Sequence, residues 1–432
     1  MPSPRHPNKP LRSLLAEARW TQGSLARAVN IVAAEVGLEL DYDRTAVAHW
    51  LSGTQPHPPV PELVAEALTR RLERPVTASV AGFGGAADPA VPARAQPYRP
   101  GELLKACGGA PEGQLRPPGT PDSGTGTGTG TGTETALMRS AVRFYSACFN
   151  AHGGGTARSA LAAYLADDVL PRLRAPQPEP EHRSLLVEAS RLSFLLARMY
   201  EDSGAQGLAQ RHFLTALSLA DASGDRVARA VVLRGLSAQG LALGHHRASL
   251  RAAEAAAEAA RGEAGPAGTF LLAQLAVAQA ACGLRREALG SLARAERAMA
   301  ADGPERSPAG PFDTYSRAAL EYQSAETLGK AGDTAGAHAA MNRSLAHRPA
   351  EDHRGLALSY ARRAEMLVGA GHVEEACASW RAFLDHYPHL TSGAATAAVT
   401  RSRTLLIPFR HVPAAAALLN RLSPVAAGGK RH

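Results

Sequence analysis

The sequence predicts an all-α protein in three parts: a small N-terminal helical domain, a Gly/Pro/Thr-rich linker expected to be disordered, and a C-terminal α-solenoid of stacked helix pairs. Three observations predict it. Residues 1–75 hold four amphipathic segments with capping residues, residues 76–133 turn to low-complexity composition, and from residue 184 a small–large–small pattern recurs five times. The boundaries read this way are 1–75, 76–133, a helical pair over 134–180 that caps the array, and repeats over 181–432.

Leu11 to Ala18 is amphipathic and reads as a first helix. Thr21 opens a second as N-cap, its hydroxyl accepting a free amide of the first turn. Leu25, Ala28 and Val29 then face inward, and the spacing of Ile31, Val32 and Val36 carries this helix on for two more turns. The segment Tyr42 to Pro59 is the most informative. Asp43 can cap a short helix whose Val47, Trp50 and Leu51 form one apolar stripe. Gly53 stops it, and Pro56, Pro58 and Pro59 prevent continuation. Its outer face is left with Arg44, Thr45, Ala48 and His49. Pro61 to Leu72 makes a fourth helix that buries Leu63, Val64, Ala67 and Leu68.

The TQxxLA string (Thr21, Gln22, Leu25, Ala26), followed by a short capped helix, a Gly and then Pro, resembles the repressor-type helix-turn-helix domain of the Xre/Cro class over residues 10–74. The resemblance implies DNA as partner. Arg44 and Thr45 would meet base edges in the major groove, with His49 on the same face, while Thr21 and Gln22 face phosphates. Residues 1–75 carry nine Arg/Lys against eight Asp/Glu, so little of the usual phosphate attraction is available. A four-helix docking module that binds no DNA is the alternative.

Order is expected to be lost from Val76 to Thr133, because so much Gly, Pro and Ala cannot bury enough apolar surface to offset chain entropy. As a flexible coil this stretch spans about 40 Å. Its Gly-Thr run from Gly124 is no phosphate cradle: the glycines alternate strictly, and GxGxxG spacing is missing. Leu103 to Cys107 makes at most a short turn. Beyond it, Thr135 to Asn150 puts Leu137, Val142, Phe144 and Tyr145 on a packed side. The triplet ending at Gly155 breaks that helix, Ala157 to Leu173 supplies its partner, and Pro176, Pro178 and Pro180 separate the pair from the repeats.

Each repeat has a small residue in mid-helix, a short break, and Ala-x3-large-x2-small on the next helix. The second-helix triplets are Ala209/Phe213/Ala216, Ala248/Ala252/Ala255, Ala288/Leu292/Ala295, Ala337/Met341/Ser344 and Ala376/Trp380/Phe383. Thr391 to Leu422 closes the array. The pattern resembles the tetratricopeptide repeat (TPR), in which small residues let antiparallel helices approach and the large one fills the gap to the next pair. An ordinary Ala-rich bundle is the alternative. The resemblance implies a TPR-like groove lined by the first helix of each pair, at Arg191, Phe194, Arg198 and Glu201, then Arg234, then Tyr322, Glu326 and Glu365. Arginines beside aromatics can hold a carboxylate or an extended peptide, although solvated surface charge explains them as well.

Together the two resemblances are similar to helix-turn-helix transcriptional regulators with C-terminal TPR sensors, common in actinobacteria. That group implies a possible homodimer and a peptide, protein or small acidic effector. The competing expectation is a TPR scaffold or adaptor that binds only proteins. No catalytic constellation is found: HExxH, P-loop and GxSxG are absent, and no His/Cys cluster has metal spacing, so neither enzyme activity nor a cofactor is expected. The four cysteines are far apart and fit reduced thiols of a cytoplasmic protein. The N-terminus lacks the apolar core of a signal peptide, and no apolar run is long enough to span a membrane. Of the net charge of +8, +7 falls beyond residue 133, almost all of it arginine.

Overall fold

The computed structural model describes residues 7–83 except 36, 37, 39, 58, 73–75, 77 and 79, together with 97–107, 131–301 except 264, and 315–428. Every regular element among them is a helix, as the composition and periodicity predict. Two compact units divide the chain, the first Met1–Glu102 with Gly204–Arg211 and the second Leu103–Ser203 with His212–His432, which holds most of the repeats. No helix among the described residues is long and apolar enough to cross a membrane.

The first unit packs α1 (Lys9–Ala18), α2 (Gln22–Glu35), α3 (Arg44–Leu51) and α4 (Val60–Leu72) around Leu11, Leu25, Val29, Val47, Leu63 and Leu68. Thr21 caps α2 as expected, its Oγ1 taking the Ser24 amide at 3.1 Å. The apolar spacing misleads at one point: Ile31 is 61% exposed, and the buried stripe of α2 runs through Leu25, Ala26, Val29, Val32 and Ala33. Val36 lies outside the described residues. Glu35 and Glu66 both bond the Arg70 guanidinium, which locks α2 to α4. The unit also runs past residue 75. Val76, Ala81 and Phe83 join its core, and Phe83 lies edge-on to Trp50 with ring centroids 6.5 Å apart. Linker-like composition conceals such contacts, because a few well-placed apolar residues suffice to dock a strand of chain on an existing core.

Two further pieces of that stretch are ordered. α5 (Pro100–Cys107) buries Leu103 completely, in one apolar cluster with Phe194, Phe213 and Leu236. α6 (Thr131–His152) starts inside the Gly-Thr run, three residues before the composition predicts. The rest of the expected tether, 84–96 and 108–130, lies outside the described residues. On α6 the packed face is Met138, Val142, Tyr145 and Phe149, whereas Leu137 and Phe144 are exposed. Val142 and Tyr145 thus lie inside as expected, with Met138 and Phe149 in place of Leu137 and Phe144. α7 (Arg158–Tyr164) continues through a π turn over Leu165–Val169 into α8 (Leu170–Arg174).

Five helix pairs come next: α9 (Glu179–Asp202) with α10 (Gln206–Ser223), α11 (Arg226–Ala242) with α12 (His246–Ala259), α13 (Pro266–Ala281) with α14 (Arg285–Ala301), α15 (Arg317–Lys330) with α16 (Thr334–Ala346), and α17 (His353–Gly369) with α18 (Val373–His386). A closing pair, α19 (Gly393–Leu406) and α20 (Pro413–Gly428), completes the array. The recurrent small and large residues are buried throughout, from Ala209, Phe213 and Ala216 to Ala376, Trp380 and Phe383. In the second pair Ala256 takes the place expected for Ala255, which is only half-buried.

Each pair turns on three residues with a central glycine: Gly204, Gly244, Gly283, Gly332 and Gly371, all with φ between 80° and 87°. After the last four of these first helices, the next residue's amide reaches back to the helix, as from His245 to Gly240 O at 2.8 Å and His372 to Leu367 O at 2.9 Å. This is the Schellman stop, and it needs the left-handed backbone that glycine adopts without cost.

The first and fifth pairs of the array touch. Asp202, its side chain fully buried, takes the Gly154 amide at 2.9 Å and the Arg354 guanidinium at 2.8 Å. Beside it Thr391 gives its amide to His152 O at 2.7 Å and takes the Gly155 amide at 2.8 Å. A Cβ on Gly154 would sit 2.4 Å from the Met199 carbonyl oxygen. The glycine triplet is thus a point of close approach as well as a helix break.

Candidate functional site

In the first unit the candidate surface is the outer face of α3. The Asp43 carboxylate accepts the Thr45 and Ala46 amides at 2.8 and 3.0 Å, and the Ala46 bond leads the contacts that hold its pKa below the usual range. This cap fixes the first turn. Val47, Trp50 and Leu51 are buried, which turns Arg44, Thr45, Ala48 and His49 outward, all exposed. Thr21 and Gln22 at the start of α2 are exposed as well, as is Arg27, which the TQxxLA string does not include. Asn30, on the same helix, clasps the Tyr42 backbone just before the cap, and Tyr42 lies edge-on to Trp50 at 5.2 Å. No sequence signal marks Asn30, because a mid-helix asparagine usually faces solvent.

In the array the residues expected to line a groove fall into three groups. Phe194 does not line it: its ring is 5% exposed and packs edge-on against Phe213 at 5.4 Å, inside the first pair. The small Gly235 on α11 makes room for both rings, so the aromatic is drawn into the core. Arg191 and Arg198 are half-buried and already ion-paired, with Glu188 at 3.3 Å and Glu201 at 2.7 Å. Glu326 and Glu365 both bond Arg362, and Glu365 also meets Arg401 at 3.0 Å. Burial, with Glu326 adding to it, raises the pKa of the neighbouring Tyr322.

Arg234 differs from the others. It is 8% exposed, in the middle of α11, and its guanidinium carbon lies 4.0 Å from the centroid of the Phe270 ring. Among the described residues no carboxylate pairs with it and its Nε has no acceptor. Burial pulls its pKa down to about 10; the phenol of Tyr315 and, more weakly, the carboxylate of Glu201 work against that fall, the charge of Arg198 adds to it, and the group stays cationic at neutral pH. Tyr315 stands edge-on to Phe270 at 5.3 Å, its hydroxyl buried without a partner among the described residues. Its pKa is pushed up to about 12 by burial, so it is a neutral hydrogen-bond donor. Sequence reasoning finds Arg234 but misses Phe270 and Tyr315. Phe270 lies near the start of a largely apolar helix with no clear polar face, and Tyr315 precedes α15 outside any periodic pattern.

Residues 11–84 match a family model described as the SP15 N-terminal domain. The matched span coincides with the core of the first unit, which also ends at Phe83. Among curated proteins the chain has no match.

Proposed function

We propose that the chain is a cytoplasmic transcriptional regulator that binds DNA through α3 and an effector on the inner face of the helical array. The observation that carries this reading is the build of α3: a capped, eight-residue helix that buries one stripe and offers Arg44, Thr45 and His49 to an approaching groove. The order of its helices fits the resemblance to Xre/Cro-type helix-turn-helix domains, and the paired helices fit TPR-like repeats. Operator half-sites require two such helices at fixed spacing, so the reading includes a homodimer.

Capture of fragmented genomic DNA by the purified chain tests it. A small set of enriched sites is expected, and Arg44→Ala should weaken the best of them by about 1–3 kcal/mol. Enrichment no better than random fragments, or equal affinity of the variant, rejects the reading. A scaffold that binds only proteins is the second reading, favoured by the near balance of charge in residues 1–75.

A further inference from the structure

Arg234 and Tyr315 present an unsolved problem of burial. A guanidinium taken out of water without a counter-charge is costly, and buried donors are nearly always bonded. Here two such donors next to the Phe270 ring, the Arg234 Nε and the Tyr315 hydroxyl, are buried without acceptors among the described residues. The other cations nearby are occupied: Arg198 by Glu201, and Arg348 by Asp352 and Ser359. The Arg234 guanidinium carbon lies over the Phe270 ring, a contact that attracts the charge but leaves its N–H groups to be met by an acceptor.

We infer that Arg234 and Tyr315 form a subsite for a carboxylate whose apolar body rests against Phe270, supplied by a small organic acid or by the C-terminus of a peptide. The inference rests on the proposed effector role of the array's inner face and names the ligand chemistry there. One unpaired guanidinium matches one negative charge, and its planar fork suits a carboxylate. A phosphate dianion would need a second free cation, and Arg198 and Arg348 are already engaged. The neighbouring rings of Phe270 and Tyr315 favour an acid with an apolar body over acetate.

Calorimetric titration of the full chain without DNA tests this. The probes are phenylacetate, phenylacetamide, a tripeptide ending in phenylalanine as free acid and as amide, and inorganic phosphate. At least one free acid should bind while its amide does not, and which acid binds identifies the source of the carboxylate. Arg234→Met should weaken binding at least about tenfold, and Tyr315→Phe about three- to tenfold, as lost charge-assisted and neutral hydrogen bonds do. The Met variant removes an uncompensated buried charge, so its melting temperature should not fall. Tyr315→Phe, which alters one hydroxyl, carries the test if it does.

Acid and amide binding alike, binding unchanged in Arg234→Met, preference for phosphate, or no acid bound by about 10 mM would each overturn the subsite. Site-specific capture of DNA by a chain that takes no carboxylate would refute the subsite alone. Carboxylate binding without DNA capture would refute the regulator and leave the subsite standing.

Discussion

Asn30 holds Tyr42 by both of its backbone polar groups: Nδ2 donates to the Tyr42 carbonyl at 2.9 Å, and Oδ1 accepts the Tyr42 amide at 3.0 Å. The side chain thereby does for an irregular connection what a neighbouring strand does for an extended one. Tyr42 adjoins Asp43, the cap of α3, so the amide of α2 sets where α3 begins.

Asn30→Leu should therefore destabilise the first unit by about 1–3 kcal/mol, because two partly buried backbone groups lose their partners. Urea unfolding followed by tryptophan fluorescence reads it, since Trp50 lies in that core. Asn30→Asp keeps the acceptor and loses the donor, and should fall between. A Leu variant as stable as the parent would show that water replaces the clasp.

Arg19 is the one non-glycine residue among those described with a positive φ, at 52°, and it ends α1. The backbone there makes the same reach-back bond as the repeat turns, Trp20 N–H to Leu15 O at 3.0 Å. Arg19→Gly should thus stabilise the unit by about 1 kcal/mol through relief of the left-handed conformation, less the entropy glycine adds to the unfolded chain. A lower urea midpoint would mean that the arginine makes contacts outweighing its strain.

The architecture is legible wherever one residue type has one physical role. Asp43, Gly53 and the prolines after it bound α3, and five copies of a small–large–small triplet mark the buried seams of the array, because close helix approach tolerates little else. Legibility fails where a residue's partner lies far along the chain. Phe83 finds Trp50 across a stretch of linker-like composition, and Phe194 is drawn inward by Gly235. Leu137 and Phe144 show the limit of helical periodicity, since one residue along a helix turns the side chain by 100°, enough to exchange an inward place for an outward one. The candidate carboxylate subsite is one-third legible: Arg234 has charge to notice, but Phe270 and Tyr315 acquire meaning only beside it.

Three imidazoles meet at the end of the fifth pair. His353 Nδ1 lies 3.1 Å from His386 Nδ1, and the His353 ring stacks on His389 with centroids 4.4 Å apart. Burial lowers the pKa of His386, and the neighbouring His353 and His389 lower it further, against the opposing pull of Asp385 and Asp352. A histidine whose folded pKa lies below its unfolded value, near 6.5, contributes no penalty above that value and costs stability as pH falls through it. The melting temperature should drop between about pH 7 and 5, and His386→Gln should flatten that drop. An equally steep profile in the variant would place the titration elsewhere.

Arg354→Leu should be among the most damaging single changes in the array. It strands the fully buried Asp202 carboxylate with the Gly154 amide as its remaining partner among the described residues, a loss of about 3–5 kcal/mol. Replacing both, Asp202→Asn with Arg354→Leu, should recover part of it, and thermal melts of the three proteins measure the recovery. Additive losses would rule out a direct coupling.

That same ion pair joins residues 152 positions apart, and its presence changes how the array can come undone. An open stack of repeats touches only nearest neighbours and unzips from whichever end is weaker. Joined across from the first pair to the fifth, this one cannot shed its first pair without breaking that hold. The pairs between these contacts should melt as a single block and assemble slowly, because the contacts that join them span so much chain. Nor can the pairs between these contacts lengthen like a spring to admit a guest.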